Sequence, residues 1–499
     1  MNRLFDWLRT RPAVVASVFA IVVNLQGVWL PSFWYDEVFT LYAISRPLDE
    51  LLLLTTTQVD AVHLAYYLFM WFWTSVFGLS ELAVRLPSVI AAAAGTFFTA
   101  LVAKRLFGRD SIALAAGIAF AMLPATVMMT TWARSYALQA AVFAALLWAF
   151  VRLIENLKVV HSPRQRTWDY VLLGALLTML IYLNIYGVLL IPVFAAVVVL
   201  LYRPVRMGAL LQLTIALAVP LILSIPLLSL AVQQRGQIDW TGRPGLESIF
   251  FDQLFVTNVL AAIIGWSLMV AAVSYSLQRQ SSAEHRKAVF LLVVSFAFPT
   301  LVVVALSWNR LLGQSLYNTK YFYFASPALA VLMGLGVHIL LRHTSRRARI
   351  ATALVVAVLI VPSLERTTKG RDGDWLAGIE ATTSAANAGA NAGAGYWLAN
   401  DHTSSLVYVY RDRLSSLTDL TRTDEPDSGL ITDVVPLAEA IYRAREMQID
   451  LFVGYRIVNQ GKIQSELSSL GVTEFEEIHS DGRFEIVLVQ KLNLSKPQD

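Results

Sequence analysis

The stretch AVVASVFAIVVNLQGVWLPSFWYDE, residues 13–37, decides the first reading of this chain. It is an apolar run from Ala13 to Leu30, then Trp34 and Tyr35, then the adjacent carboxylates Asp36 and Glu37. At ~1.5 Å per helical residue the run crosses most of a bilayer core of ~30 Å. A carboxylate pair next to lipid is expensive to keep, and ionisable groups at a membrane are functional candidates by default.

The composition agrees with a membrane setting. The chain of 499 residues is 57% hydrophobic and 15% charged, where soluble domains carry roughly 25% charged residues. There are no cysteines, which excludes disulfides and thiolate metal sites. The formal charge of +4 is small, and the basic residues sit in short clusters between apolar runs, a pattern of membrane orientation and not of nucleic-acid binding. No small-residue cleavage site precedes Pro31, so the first segment reads as a retained span.

Long apolar runs place eleven spans at 13–31, 86–103, 111–131, 136–151, 170–186, 188–202, 208–230, 250–276, 288–308, 321–341 and 350–364. The loops alternate in basic content. One set holds the Arg3, Lys104, Arg152, Arg203, Arg286 and Arg346 clusters; the other holds only Arg46, Arg85, Arg134, Arg235, Arg243, Arg310 and Lys320. The positive-inside rule puts the first set and the amino terminus in the cytoplasm, and Asp36-Glu37 outside. The segment HLAYYLFMWFWTSVFG, 63–78, is apolar but short for a crossing, and its aromatic density suits the headgroup level. Residues 32–85 therefore read as one external loop with two membrane-surface helices, at 47–58 and 63–78.

Past Leu364 the charge density rises. Residues 365–395 read as a linker containing the low-complexity stretch ATTSAANAGANAGAG, a weak helix or a mobile linker. Residues 396–499 read as a small external α/β domain. Strand-like runs fall at Leu406–Tyr410, Leu451–Tyr455 and Phe484–Val489, with a helical pattern at Leu437–Met447.

Polar residues collect at the outer boundary of the spans. They include Asp36, Glu37, Asp60 and His63 in the first loop, Trp132, Arg134 and Tyr136 after the third span, Gln237, Asp239, Trp240 and Arg243 after the seventh, and Trp308, Asn309, Arg310, Tyr317, Lys320 and Tyr321 after the ninth. Carboxylates and cations around one lipid-level site suit transfer from a lipid phosphate: a base activates an acceptor hydroxyl, and cations or a metal hold the leaving phosphate. Each residue also has a structural alternative. Glu37 could favour a helix start, Asp60 could cap the helix near His63, His63 could be a hydrogen-bonded structural residue, and Arg134 could snorkel to headgroups.

With the order of these elements the chain resembles the GT-C glycosyltransferases, in particular the family-39-like branch of protein O-mannosyltransferases and aminoarabinose transferases. SELAVRLPSVIAAAAGTFFTALVAKRLFG, 80–108, is similar to the segment around that family's second span. TTWARSYAL, 130–138, resembles its EARPYAL element, and SLYNTKYFYFASPALAVL, 315–332, its RY…PALALL element. RDGDWLAGIEA, 371–381, resembles the DW element that opens the external domain. The resemblance covers about 1–375 and implies a GT-C catalytic domain over 1–364. The implied activity is an inverting transferase in the bacterial plasma membrane that moves a sugar, mannose foremost, from a polyprenyl-phosphate donor to a glycan, lipid or protein acceptor outside. It casts Asp36 as the base, with Glu37 its neighbour. The family's second acidic element matches Asp60-Ala-Val-His63, without the usual proline. Asp60 and His63 would bind the acceptor or, with Asp36, any Mg²⁺ or Mn²⁺. Arg134 and Lys320 would hold phosphate, Lys320 standing where relatives have arginine and so losing a bidentate contact; Tyr136 and Tyr321 flank them. A flippase for a lipid-linked glycan and a non-catalytic assembly subunit are the competing readings. The near absence of mid-membrane charge speaks against the flippase.

Overall fold

A computed structural model describes residues 11–29, 33, 35–58, 60–158, 163–202, 207–238, 241–278, 281–308, 315–343, 375–388, 394–399, 413–420, 435–456, 460–472, 474–480 and 484–490. The expected span at 350–364 and strand at Leu406–Tyr410 lie outside the described residues, as do Trp34, Asp239, Trp240, Asn309, Arg310 and residues 371–374.

Among the described residues six helices are long and apolar enough to cross a membrane: Glu81–Phe107, Tyr136–Leu157, Met207–Gln233, Val259–Leu277, Ala283–Trp308 and Thr319–Arg342. A further pair, Asp110–Met122 and Pro124–Thr130, is long and apolar enough when taken together but is bent by 57° at its break. The break follows from Pro124, which has no amide proton to donate and pushes Leu123 out of the helical region, to ψ 128°. Pro12–Asn24 and Ile185–Leu201 coincide with two more expected spans but have fewer than 18 residues, and the helix Pro163–Leu183 coincides with a third. The first is shortened because the helix tightens into a 3-10 turn at Leu25–Gly27.

The chain forms two compact units. The first contains the long helices. There the helix Ser326–His343 packs against Asp110–Met122 and Val259–Leu277. Gly334 makes this possible, because a Cβ there would strike the Ala116 backbone. Asn24 spans the proline break: its Nδ2 donates to the carbonyls of Ala20 and Ala121, and its Oδ1 accepts from the Thr130 hydroxyl. Backbone groups freed by a broken helix must find such partners in an apolar medium.

The second unit takes in Trp29–Gln58, Met70–Glu81 and Lys369–Asp499, so part of the first loop groups with the carboxyl-terminal residues. Asp36 and Glu37 lie in the first turn of the helix Tyr35–Ile44. Acids in a first turn are favoured by the helix dipole, so Asp-Glu itself promotes the helix, as the structural alternative for Glu37 has it. Glu37 is buried and Asp36 only partly so. The surface helix expected at 47–58 begins at Leu48–Leu53 and continues as a π-turn over Leu54–Gln58. Arg46, buried under Tyr42 at 4.3 Å, pairs with Glu50 at 3.2 Å, and its carbonyl accepts from Trp71 Nε1.

Among the described residues the carboxyl-terminal part of this unit has a mixed sheet of five strands in the order β2-β1-β3-β5-β4, with β1 Gly395–Ala399, β2 Thr418–Asp419, β3 Leu451–Arg456, β4 Glu476–Ser480 and β5 Phe484–Val489. β1 is parallel to β2 and β3, and β5 is antiparallel to β3 and β4. The helix Leu437–Met447 buries Leu437, Ala440, Ile441 and Ala444, the i, i+3, i+4, i+7 face its sequence predicts. The core joins these residues to Trp397, Val453, Val487 and Val489. Of the two readings of the 365–395 stretch, a helix is present over Trp375–Ala388, which packs on β4 and β5. Its alanines favour a helix once tertiary packing stabilises it.

Candidate active site

The aromatic helix Leu64–Phe77 has 14 residues, ~21 Å at 1.5 Å each, shorter than a bilayer core. Its two faces differ in role. Phe69, Phe72, Val76 and Phe77 are exposed, whereas Tyr66, Tyr67 and Met70 are buried. The aromatic run therefore does more than anchor: one face supplies Tyr67 to the site.

Asp60 starts the turn that leads into this helix. Its φ of 63° and ψ of 29° are left-handed, a conformation rare outside glycine and most tolerated by Asn and Asp. The Ala61 amide donates to Gln234 Oε1 at 2.9 Å and helps hold this turn. The carboxylate of Asp60 makes no capping bond to the helix, so the capping alternative fails. It turns instead to the Tyr67 hydroxyl, which donates to Oδ2 at 2.5 Å, and to Arg134, whose Nη2 lies 3.4 Å from the same oxygen. Arg134 Nη1 in turn donates to the Tyr67 oxygen at 2.8 Å. Arg134 is 7% exposed at the side chain and Asp60 24%. Arg134 is thus a buried member of a cluster and not a snorkelling residue.

Burial works against charge on Asp60. The neighbouring His63 in its protonated form, the Arg134 guanidinium and the Tyr67 hydrogen bond outweigh it, and hold the carboxyl below its ordinary 3.8. The Tyr67 phenol is driven well above its usual value, first by burial and then by the adjoining carboxylate. Tyr67 therefore remains a hydrogen-bond donor across the physiological range.

His63, also buried, faces the cluster from the next turn, with Nε2 3.9 Å from Asp60 Oδ1. Its ring meets the edges of Tyr67 and Tyr136 at centroid distances of 6.2 and 6.3 Å. Tyr136 packs on Trp132 at 5.9 Å, and Lys320 Nζ lies over the Trp132 ring at 5.2 Å. Lys320 stands at the start of a 3-10 turn, Thr319–Ala325, capped by Asn318, whose side chain accepts from the Lys320 amide. The Tyr321 carbonyl accepts from Asn184 Nδ2 at 2.7 Å.

The first unit thus brings together Asp60, His63, Arg134 and Tyr136, with Lys320 joined through Trp132 and Tyr321 through Asn184. Asp36 and Glu37 belong to the second unit. Arg243 is exposed. Sequence reading missed Tyr67, Ser135, Gln139 and Asn184. The available signal was their polarity within apolar runs, as in YALQAAVF and IYLNIYG.

The donor set suits a resident divalent ion poorly. Among the described residues no three His, Cys, Asp or Glu side chains converge. Asp60 and His63 are a pair only, and a guanidinium already neutralises the Asp60 carboxylate. Two cations, Arg134 and Lys320, against one carboxylate suit an anionic oxygen better than a third cation.

Fold and apolar helices define a multi-pass membrane protein with the GT-C glycosyltransferase fold and a small carboxyl-terminal sheet domain. Residues 63–231 match the family described as dolichyl-phosphate-mannose-protein mannosyltransferase. Among solved structures, the chain is similar to ArnT from Cupriavidus metallidurans bound to undecaprenyl phosphate, with a TM-score of 0.60 at 14% identity over 100% of both chains. It is also similar to the oligosaccharyltransferase of Archaeoglobus fulgidus in complex with Zn and sulfate, with a TM-score of 0.53 at 10% identity, covering 97% of this chain and 73% of that one. A third similar structure is the archaeal enzyme AglB from Archaeoglobus fulgidus with an inhibitory peptide and a dolichol-phosphate, with a TM-score of 0.53 at 11% identity over 96% and 74%. No curated protein matches the chain in sequence.

Proposed function

We propose that this protein is an inverting membrane glycosyltransferase that takes a sugar, mannose foremost, from a polyprenyl-phosphate donor and attaches it to a glycan, lipid or protein acceptor on the outer face of a bacterial plasma membrane. The observation that carries this reading is the buried Asp60–Tyr67–Arg134 cluster, continuous through Tyr136 and Trp132 with Lys320, in a chain of this fold. The lipid phosphates bound in two similar structures support the donor class.

In the proposed reaction an acceptor hydroxyl attacks the anomeric carbon, and the bond from that carbon to the phosphate oxygen breaks on the opposite side. The hydroxyl proton passes to Asp36, the base the resemblance assigns. The polyprenyl phosphate leaves with the bonding electrons. Lys320 and Arg134 stabilise its charge, as preorganised donors do where charge develops. Tyr67 and Asp60 hold the Arg134 guanidinium. No step is routed through a metal.

The test uses purified protein, polyprenyl-phosphate mannose and a panel of acceptors, with wild type beside Asp36→Ala and Asp36→Asn. Transfer lost in both variants supports the base. Full activity in both would remove Asp36 from the mechanism, and no transfer from any polyprenyl-phosphate sugar would sink the enzyme reading. The broken helix at Leu123–Pro124 is a feature shared with transporters. It is bridged by the neutral Asn24 and Thr130, and among the described residues by no carboxylate, histidine or cation, which favours the enzyme over the flippase.

A further inference from the structure

Behind His63 runs a chain of buried polar side chains that the proposed chemistry leaves unused. Asn184 Nδ2 donates to the Tyr321 carbonyl at 2.7 Å and to Gln139 Oε1 at 3.0 Å, while Asn184 Oδ1 accepts from the Tyr186 amide at 3.0 Å. Gln139 Nε2 donates to the Leu183 carbonyl at 2.8 Å and to Ser135 Oγ at 2.7 Å. Ser135 Oγ lies 3.1 Å from His63 Nδ1. Asn184, Gln139 and Ser135 are each more than nine-tenths buried.

The direction of each side-chain amide proton in this chain is forced by backbone groups whose roles cannot change. A carbonyl only accepts and an amide N–H only donates. Tyr321 and Tyr186 therefore orient the Asn184 amide, which makes Gln139 Oε1 an acceptor. Leu183 confirms the Gln139 orientation from the other side. Both Gln139 protons are then spent, one of them on Ser135 Oγ. His63 Nδ1, 3.1 Å from Ser135 Oγ, is then placed to accept the Ser135 hydroxyl proton. A neutral imidazole that accepts at Nδ1 carries its proton on Nε2.

We infer that Gln139 and Asn184 are positioning residues that lock His63 as the Nε2–H tautomer, through Ser135. His63 then presents an N–H on the side of Asp60 Oδ1. With Nδ1 occupied and Nε2 protonated, the ring offers no lone pair to a divalent ion, and its N–H suits an anionic oxygen such as a phosphate. This last step rests on the proposed function; the tautomer does not.

The experiment is nitrogen-15 and carbon-13 NMR of histidine-labelled protein in lipid nanodiscs at about pH 8, above the ordinary imidazole range. Seven histidines are present, and His63→Gln identifies the resonance. Wild type should show the Nε2–H tautomer in at least roughly tenfold excess, the equivalent of about one charge-free hydrogen bond. Ser135→Ala and Gln139→Leu should bring the two tautomers to comparable populations, and Ser135→Thr should restore the excess. An Nδ1–H tautomer in wild type overturns the inference without any variant, as do unchanged populations in both Ser135→Ala and Gln139→Leu. Undecaprenyl phosphate should shift the His63 signals, while equimolar Mn²⁺ should leave them sharp. Broadening by Mn²⁺ would refute the loss of metal affinity. A correct tautomer with no response to the lipid phosphate would count against the proposed function alone.

Discussion

Substituting Asp60 tests the cluster most directly, because this residue is held by two opposing demands. Its backbone is left-handed, a conformation that costs a residue with a Cβ about 1–2 kcal/mol. Its carboxylate accepts a short bond from Tyr67 and faces Arg134 at 3.4 Å. Hydrogen bonds to charged groups contribute about 1.5–3 kcal/mol each, and stranding one member of a buried ion pair costs about 3–5 kcal/mol. Asp60 is partly open to solvent, so about 2–4 kcal/mol is the reasonable range here. Asp60→Asn keeps the left-handed turn and one acceptor, and should destabilise least. Asp60→Gly relieves the backbone but strands Arg134. Asp60→Ala strands Arg134 and keeps the backbone strain as well, and should be the worst by about 1 kcal/mol relative to Gly. Arg134→Gln should cost about as much as Asp60→Asn, and the double variant should fall short of the sum by at least about 1 kcal/mol. Unfolding midpoints of the detergent-solubilised protein in a denaturant series measure all of this. Strict additivity in the double variant, or an Asp60→Ala protein as stable as Asp60→Gly, would refute the argument.

Three further outcomes are expected. Because the Asp60 carboxyl is held below 3.8, its contribution to stability is complete above that value and lost as pH falls through the lower folded value. Denaturant midpoints of wild type should therefore drop more steeply below about pH 4 than those of Asp60→Asn, and parallel profiles would contradict the pairing. Lys320→Gln should lower kcat/KM for the polyprenyl-phosphate donor by roughly 10- to 100-fold, the loss of one charged contact, with Lys320→Arg retaining most activity; equal rates for Gln and wild type would remove Lys320 from phosphate binding. Gly334→Val forces side-chain atoms into the Ala116 backbone and should destabilise by about 1–3 kcal/mol, read from thermal aggregation of the solubilised protein. A neutral result there would mean that the two helices do not approach as closely as described.

Much of this protein is legible in one dimension, for a definite reason. A bilayer demands long apolar runs, and basic residues bias their orientation, so the spans over 81–107, 136–157 and 319–342 announce themselves by composition alone. Period also identified the helix Leu437–Met447 and the strands Leu451–Arg456 and Phe484–Val489. The acidic and basic site candidates were visible because charge beside lipid is rare.

Tertiary structure decided what those residues do to one another. Composition cannot show that Asp60 leaves the helix uncapped and reaches Tyr67 and Arg134, since that depends on a left-handed turn and on a partner 74 positions away. The aromatic run carried no sign that one face is exposed while Tyr67 enters the cluster. Ser135, Gln139 and Asn184 look like stray polar residues in apolar helices until backbone carbonyls from distant turns orient them. Hydrophobic patterning is a property of neighbours in sequence; hydrogen-bond direction is a property of neighbours in space, and only the fold supplies those.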